Sequence, residues 1–208
     1  IKVAGPGFVN ISLNRKDFVS IVDEINNNKE KFGESNLGNG NKIQIEFVSA
    51  NPTGPLHVGH GRGAAYGDAL ARILTKTGSI VEKEYYINDA GRQIDILTAS
   101  VITKLIQKDL GNFSAQNTYK GKYIEEIGIA FSKEKVVTYK EPKLIINNLP
   151  GDAEEEIDQL ISNLKEMDKK IWNEVKDFSL KNILNLIKQD LENFNVNFDN
   201  WFQESSLG

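Results

Sequence analysis

The chain has 208 residues, of which 39% are hydrophobic and 26% are charged, and a formal net charge of −4; these values are typical of a globular protein with one or two domains. It contains no cysteine, which excludes disulfides and thiolate metal sites, and its negative charge argues against a general affinity for nucleic acid. Because we find no signal peptide and no run of 18 apolar residues, we expect a cytoplasmic protein without membrane association.

The first forty residues predict a strand, a helix and a linker. Alternating apolar residues after a Gly-Pro-Gly turn indicate a strand in Ile1–Leu13, with no obvious partner nearby. Apolar residues at helical spacing predict a helix over Asp17–Lys31. The Gly- and Asn-rich segment Phe32–Lys42 is a predicted linker.

A strand, a Pro/Gly loop and a helix are predicted next. The β-rich run Ile43–Val48 suits a strand buried in a parallel sheet. The prolines of Ser49–Pro55 exclude a helix in that segment. Helical periodicity that starts at Tyr66 predicts a helix that ends at Gly78.

The first turn of that helix is a predicted phosphate site. Its unpaired N–H groups and the positive end of the helix dipole point beyond the carboxyl edge of the sheet. His57 and His60 are the only histidines in the chain, and their spacing of three places them on one helix face. Gly59, Gly61 and Gly63 leave room for a nucleotide to approach the backbone.

The next segments predict a second strand and a second helix. Ile80–Ile87 reads as a strand that would form a right-handed β-α-β unit with the first one. Asn88 and Asp89 are predicted to cap a helix that ends near Gly111. Residues 112–150 are less regular, with one short helix.

Two amphipathic helices and a strand are predicted in the last part of the chain. Asp152 is predicted to cap the first helix, which runs to Phe178, and Leu180–Leu191 forms the second. Together they predict a helical hairpin packed on the sheet domain. The alternation of Phe194, Val196 and Phe198 predicts a strand.

The residues around the two histidines resemble a known enzyme family. His57-Val58-Gly59-His60 matches the His-x-Gly-His signature of class I aminoacyl-tRNA synthetases. The longer run Glu46–Ala64 resembles arginyl-tRNA synthetases in particular, and so does Glu84–Gln93. Because other nucleotidyltransferases also use the short signature, the two longer runs are the more specific observation.

The resemblance implies an arginine–tRNA ligase. L-arginine would attack the α-phosphorus of ATP, which arrives with bound Mg²⁺, and the arginyl group would then pass to tRNA(Arg). No protein-bound metal is implied, and we expect a monomer. The implied catalytic residues are His57 and His60, and the implied ATP contacts are Pro55, His57, Gly59, His60 and Gly61. The implied arginine contacts are Glu46 for the guanidinium, Asn51 for the α-amino group, and Ser49.

The resemblance also implies the fold class and the domain organisation. We expect an incomplete α/β domain with a Rossmann-like parallel sheet, an inserted segment and a helical hairpin. The implied segments are residues 1–40, the end of an N-terminal appended domain with a linker helix; 41–111, the first half of the catalytic domain; 112–150, an insertion; and 151–208, the helical hairpin with the start of the return to the catalytic domain.

Parts of the family pattern are missing from this sequence. Nothing fits a KMSKS-type loop, because Ser132-Lys133-Glu134-Lys135 is only superficially similar and lies in the wrong region. A helical anticodon-binding domain is not found either. We therefore expect that this chain is a piece of the enzyme and that it neither charges tRNA nor catalyses ATP–pyrophosphate exchange by itself.

Other interpretations of single residues stay open. The histidines could merely cap the helix, or belong to a His-x-x-His metal site, although no acidic residue is spaced to complete one. Glu46 could be a polar residue of an edge strand that faces water. Asp89 could be a simple helix cap. Tyr119 and Tyr123 could stack on nucleotide bases, although packing is the commoner role of such residues.

Two other functions are also compatible with the sequence. A nucleotidyltransferase that acts on a small molecule would keep His57, Gly59 and His60 but would have no use for Glu46 and Asn51. A non-catalytic paralogue of the synthetase would keep the fold and lose the chemistry.

Overall fold

The computed structural model describes residues 1–207, apart from the side chains of Arg15 and Asp17. The chain divides into two compact units: one contains Ile1–Ile43 and Arg72–Val81, and the other contains Gln44–Ala71 and the chain from Glu82 onward. The strands are β1 (Lys2–Ala4), β2 (Phe8–Asn10), β3 (Lys42–Glu46), β4 (Ile80–Ile87) and β5 (Asn200–Gln203). The helices are α1 (Arg15–Asn28), α2 (Val58–Lys76), α3 (Arg92–Leu105), α4 (Gln107–Leu110), α5 (Lys122–Glu134), α6 (Ala153–Met167) and α7 (Lys169–Asn193). The four-segment division of the chain stays a prediction.

The first unit begins with an antiparallel hairpin. β1 pairs with β2, and Val3 lies opposite Val9. Gly5 and Gly7 adopt positive φ values of 58° and 85° in the turn between them. The predicted strand in Ile1–Leu13 is confirmed, but the expectation that it lacks a local partner was wrong, because the chain reverses at the Gly-Pro-Gly turn and pairs with itself.

The predicted helix of the first unit is also confirmed, as α1, while the linker that follows it stays a prediction. Asn14 caps α1, since its side chain accepts a hydrogen bond from Lys16 N at 3.1 Å. The apolar residues of α1 are exposed: Phe18, Val19, Ile21, Val22 and Ile25. Gly78 follows α2 with a φ of 95°, and a Cβ there would lie 3.0 Å from the carbonyl oxygen of Ser35. Glycine is therefore required at this helix stop for conformation and for space.

A three-stranded sheet in the order β3-β4-β5 carries the candidate site. β4 pairs in parallel with β5, with Glu84 opposite Asn200. The predicted strand Ile80–Ile87 and the α/β fold class with a parallel sheet are confirmed. The prediction of a buried first strand was wrong, because β3 is at the edge of the sheet and its residues are alternately exposed and half-buried.

An aromatic cluster covers the sheet next to β5. Phe198 lies 4.5 Å from Phe47 and 5.4 Å from Tyr85 between ring centroids, and Trp201 stacks on Tyr85 at 4.5 Å. The predicted strand at Phe194–Phe198 was wrong, because this segment is the turn into β5, which begins only at Asn200. Of the alternating residues, Val196 is buried and Phe198 packs against the core, whereas Phe194 is exposed, so the alternation does not reflect strand pairing.

The core of the second unit is built around α3, which packs against α5, α6 and α7. Its residues from Ile96 to Ile102 are all buried. The predicted helix is confirmed, but its predicted cap was wrong: Gly91 is the N-cap residue of α3. Asp89 accepts hydrogen bonds from the backbone N and the Oγ of Ser205 at 2.9 and 2.7 Å. The carboxylate therefore links β4 to the segment after β5.

The predicted helical hairpin is present, with a break at a different place. Asp152 caps α6 as predicted, accepting from Glu154 N and Glu155 N at 2.9 and 3.1 Å. The predicted break between Phe178 and Leu180 was wrong, because α7 runs through both residues. The chain breaks at Asp168, whose side chain accepts from the N–H of residue 171 at 2.9 Å and so starts a new helix. Within the described residues, no helix combines the length and the apolar character needed to cross a membrane.

Helix α2 buries a different face from the one that its apolar residues indicate. Its buried residues are Ala64, Gly67, Asp68 and Ala71, whereas Tyr66 is 75% exposed. Small residues are needed on the buried face because the helix lies close to the sheet. Asp68 forms an ion pair with Lys83 of β4, with 3.1 Å between Oδ1 and Nζ.

Two glycines of α2 give a matched test of this close packing. A Cβ on Gly67 would lie 2.2 Å from Cγ of Phe47, whereas a Cβ on Gly63 would meet nothing within 4 Å. We expect Gly67→Ala to lower the free energy of unfolding by about 1–3 kcal/mol through overpacking. Gly63→Ala should raise it by about 0.5–1 kcal/mol, because alanine favours a helix. Urea denaturation measures both, and equal effects would contradict the packing of α2 on Phe47.

Candidate active site

The loop that joins β3 to α2, residues 47–57, begins with a strained turn. Val48 and Ser49 have φ values of 66° and 38°. Ser49 N donates a hydrogen bond to the carbonyl oxygen of Phe47 at 2.9 Å, which closes a three-residue turn. Positive φ is rare for a β-branched residue and costs energy, and γ-turns of this hand are uncommon. The β3–α2 loop therefore leaves the sheet sharply, directly after Glu46.

Two neighbouring residues of β4 hold this turn in place. The Oγ of Ser49 accepts a hydrogen bond from Tyr86 N at 3.0 Å. The hydroxyl of Tyr85 donates to the carbonyl oxygen of Ala50 at 3.0 Å. Burial raises the pKa of Tyr85 to about 12, so this hydroxyl keeps its proton and stays a donor at neutral pH. The central strand of the sheet thus fixes the start of the β3–α2 loop.

The side chain of Asn51 is oriented by Gln93, near the start of α3. Asn51 Nδ2 donates to Gln93 Oε1 at 2.8 Å. Because the amide nitrogen is occupied in this way, the Oδ1 atom of Asn51 is left as an acceptor on an exposed side chain. An acceptor is the group that an ammonium ligand requires.

His57 and His60 form a reciprocal cap at the start of α2. His57 Nδ1 accepts from Gly59 N at 3.1 Å, and His60 Nδ1 accepts from His57 N at 3.2 Å. The pattern resembles a capping box, except that His57 accepts from the N–H two residues on and not three. A neutral imidazole that accepts at Nδ1 carries its proton on Nε2. Each ring therefore caps the helix and also keeps one N–H donor for a ligand.

The surroundings of the two rings are open and carry no acidic residue in the first helical turn. The rings stack with their centroids 3.8 Å apart. A Cβ on Gly59 would lie 2.8 Å from Cε1 of His57, so only glycine lets that ring fold over the helix end. A Cβ on Gly61 would meet nothing within 4 Å, and Pro55 is exposed. Anions are favoured at such a helix start because N–H groups and the helix dipole face outward.

The proton affinity of His60 follows from this arrangement. Burial, and then the charge of His57, lower the pKa of His60 below its usual value of 6.5. Folding therefore disfavours the protonated form. The stabilising contribution of His60 is fully present above pH 6.5 and is lost as the pH falls through the lowered pKa.

An NMR titration can measure this shift. We expect the Cε1–H resonance of His60 to titrate with a midpoint below 6.5 in the folded chain. In His57→Ala the midpoint should move upward, because the charge of His57 is one of the two causes. A midpoint at or above 6.5 in the unsubstituted chain would contradict the capping geometry.

Carboxylates collect at the edge of the sheet where the strands end. Partial burial, and then the charge of Glu204 and its hydrogen bond, raise the pKa of Tyr86, and Glu46 and Asp89 add smaller effects. Glu46 is the last residue of β3 and is exposed. This agrees with the alternative that Glu46 is a polar residue of an edge strand. Glu204 follows β5 directly. The carboxyl edge is therefore negatively charged, which favours a cationic ligand.

Other residues near the predicted site make contacts elsewhere. Arg92 pairs with Glu154 and Asp158 of α6 at 2.6 and 2.8 Å. Ser132 donates to the carbonyl oxygen of residue 128 inside α5, so the lysine-containing segment there is a helix end. Among the described side chains, which do not include that of Asp17, no group of three or more histidine and acidic side chains could hold a metal ion.

Comparison with known proteins assigns this arrangement to a family. The family model for the catalytic domain of class I tRNA synthetases (R) matches residues 21–206. The chain belongs to this family. It is similar to the arginine–tRNA ligase of Thioalkalivibrio sulfidiphilus, with 43% identity over 215 residues that cover 99% of this chain and 37% of that protein. The arginine–tRNA ligase of Acidithiobacillus ferrooxidans is 42% identical over 210 residues, which cover 99% of this chain and 36% of that protein.

A solved structure agrees with the family assignment. A crystal structure from Campylobacter jejuni, assigned as an arginyl-tRNA synthetase, superimposes with a TM-score of 0.68 and 27% identity, covering 93% of this chain and 37% of that one. The resemblance drawn from residues 46–64 and 84–93 is thereby confirmed at the level of the family. The chain spans a little over a third of the length of the curated relatives that it matches.

Sequence reasoning alone did not find every residue that supports this candidate site. Gln93 follows the second predicted strand, where the sequence lets it face the substrate cleft, but its contact with Asn51 and the contact of Tyr86 with Ser49 depend on pairing between segments far apart in the chain. Tyr85 was missed for the same reason. All three residues lie in Glu84–Gln93, the second run that resembles the family, and this location is the sequence signal that could have identified them.

Proposed function

We propose that the complete protein to which this chain belongs is an arginine–tRNA ligase. It would join the carboxylate of L-arginine to the α-phosphorus of ATP, release pyrophosphate, and pass the arginyl group to tRNA(Arg). The proposal is supported chiefly by the two imidazoles at the start of α2, which combine fixed Nδ1 acceptors with available Nε2–H donors. Family membership and the arginine–tRNA ligase relatives support it independently.

The proposed chemistry depends on positioning and on charge stabilisation. When the carboxylate oxygen of arginine attacks the α-phosphorus, a P–O bond to pyrophosphate breaks and negative charge shifts onto phosphate oxygens. The Nε2–H groups of His57 and His60 donate to those oxygens, and the helix start adds backbone donors. Pro55, Gly59 and Gly61 border the same space and let the nucleotide approach closely.

Arginine is recognised at the carboxyl edge of the sheet in this proposal. Glu46 pairs with the guanidinium, for which a carboxylate offers two parallel hydrogen bonds. Asn51 accepts from the α-ammonium through the Oδ1 that Gln93 leaves available. Ser49 would line the same pocket, and its hydroxyl oxygen accepts the bond from Tyr86 N that holds the turn.

The remaining partners follow from the reaction. Mg²⁺ enters with ATP and is held mainly by its phosphates, so no resident metal is proposed. The proposed protein is a cytoplasmic monomer whose partners are L-arginine, ATP and tRNA(Arg). The proposed domain organisation keeps residues 41–111 as the first half of the catalytic domain and residues 112–150 as an insertion.

Amino-acid-dependent ATP–pyrophosphate exchange by the complete protein tests the proposal. The assay is run with each standard amino acid, with and without tRNA, and we expect arginine alone to support exchange. Exchange that depends on a small molecule other than an amino acid would favour the alternative nucleotidyltransferase. Absence of exchange with every amino acid would favour a non-catalytic paralogue, and either result overturns the proposal. The 208-residue chain by itself is expected to give no exchange.

A further inference from the structure

Tyr123, at the start of α5, makes a contact with the β3–α2 loop that the proposed mechanism does not use. Its hydroxyl donates a hydrogen bond to the carbonyl oxygen of Thr53 at 2.8 Å, across 70 residues of sequence. Burial raises the pKa of Tyr123 to about 12, so the hydroxyl stays a donor at neutral pH. The contact therefore ties the segment 112–150 to the loop that leads into α2.

Glycines at both ends of the ring make this contact possible. A Cβ on Gly121 would lie 2.3 Å from Cε1 and 2.5 Å from Cδ1 of Tyr123. A Cβ on Gly54 would lie 3.2 Å from the Tyr123 hydroxyl oxygen. The ring thus passes between two positions where a side chain would obstruct it. This packing accounts for Gly121 and Tyr123 in the Tyr119-x-Gly121-x-Tyr123 pattern.

The two halves of the β3–α2 loop are held from different elements. The first half is fixed by β4, through the bonds of Tyr85 to Ala50 and of Tyr86 to Ser49. The second half, which leads to Pro55 and the histidines, is held by Tyr123. Helix α5 is itself anchored in the core by Ile124, Ile127 and Phe131, which are buried. Tyr123 is therefore a support that projects from a rigid helix.

We propose that Tyr123 is a positioning residue. Its hydrogen bond to the Thr53 carbonyl fixes the conformation of the loop that leads into α2, and hence the position of the proposed ATP contacts. The proposal rests on the proposed function. This role differs from a general structural role, because Tyr123 holds only the second half of the β3–α2 loop. Loss of the Tyr123 hydroxyl should therefore impair ATP binding while the proposed arginine contacts stay in place, because Glu46 lies on β3, Ser49 is held by Tyr86 of β4 and Asn51 is held by Gln93 of α3.

The test compares two Tyr→Phe variants of the complete protein. Tyr123→Phe removes the hydroxyl bonded to Thr53. Tyr139→Phe is the matched control, because the Tyr139 hydroxyl is buried and has no hydrogen-bond partner among the described residues. We expect Tyr123→Phe to raise the KM for ATP about fivefold, the effect of one ordinary hydrogen bond, and to leave the KM for arginine unchanged. Tyr139→Phe should change neither.

Hydrogen exchange provides a readout that does not depend on catalysis. In Tyr123→Phe the backbone amide of Thr53, which donates to the carbonyl oxygen of Asn51 at 2.8 Å, should exchange about fivefold faster, while those of Tyr85 and Tyr86 keep their rates. Equal changes in both KM values, or unchanged exchange at the Thr53 amide, would overturn the role of Tyr123. If the unsubstituted protein shows no arginine-dependent exchange of pyrophosphate, the proposed function fails, and amide exchange alone decides whether Tyr123 holds the loop.

Discussion

Replacing His57 or His60 with alanine in the complete protein is expected to lower kcat for arginine-dependent pyrophosphate exchange about 10²–10³-fold. Each change removes one N–H donor from the phosphate oxygens that gain charge in the transition state, and loss of such a donor typically has this effect. The KM values should change less than kcat, because the donors act mainly on charge that develops during the reaction.

The capping bonds complicate the alanine variants, and two further substitutions at His57 separate the two roles. The Nδ1 atom of His57 accepts from Gly59 N, so His57→Ala should also lower stability by about 1 kcal/mol. His57→Asn offers a carboxamide oxygen as a replacement cap but no donor at the Nε2 position, so stability should recover without activity. His57→Gln places an amide N–H near the Nε2 position, so activity should recover in part. Full activity in His57→Asn would remove the Nε2–H group from the mechanism.

Glu46→Gln is expected to lower kcat/KM for arginine by about 30- to 4,000-fold. The substitution keeps the shape of the side chain but removes the charge that pairs with the guanidinium, and truncating one partner of such a pair costs about 2–5 kcal/mol. A polar pocket also discriminates strongly against ligands that leave its groups unpaired. The loss should therefore be smaller for citrulline, whose neutral side chain has nearly the same shape.

Glu82→Gln is the matched control for this prediction. Glu82 is an exposed glutamate of β4, the strand next to β3, so the same loss of charge there should leave kcat/KM for arginine within about twofold, since surface substitutions have small effects. Steady-state exchange kinetics with arginine and citrulline measure both variants. If Glu46→Gln and Glu82→Gln behave alike, Glu46 is an ordinary edge-strand residue that faces water.

Local sequence signals predicted the part of the fold that carries the site. Apolar runs, the prolines and the Gly78 stop were enough to locate β3, the β3–α2 loop, α2 and β4, because each depends on neighbouring residues. The face that α2 buries was not predictable in this way. Tyr66 is exposed and Gly67 is buried, because the closeness of Phe47 decides the packing and apolar periodicity does not report it.

Contacts between distant segments account for the other differences. Asp89 has the sequence context of a helix cap, yet it binds Ser205, 116 residues away. Asp168 starts a new helix, but the amphipathic pattern continues across this break. The pattern alone therefore does not locate the break. The partners of Asn51 and Ser49 at the site lie on α3 and β4. These links come from tertiary packing, which one sequence does not encode locally.

The pairing of β5 with β4 has a consequence for biosynthesis. The N–H of Lys83 donates to Asp199 across 116 residues, so the sheet edge next to β4 stays open while those residues are translated. At about 5–20 residues per second, the ribosome needs roughly 6–23 s for that stretch. During this interval the nascent chain exposes the side of β4 that later pairs with β5, and unpaired strand edges of this kind are prone to aggregation.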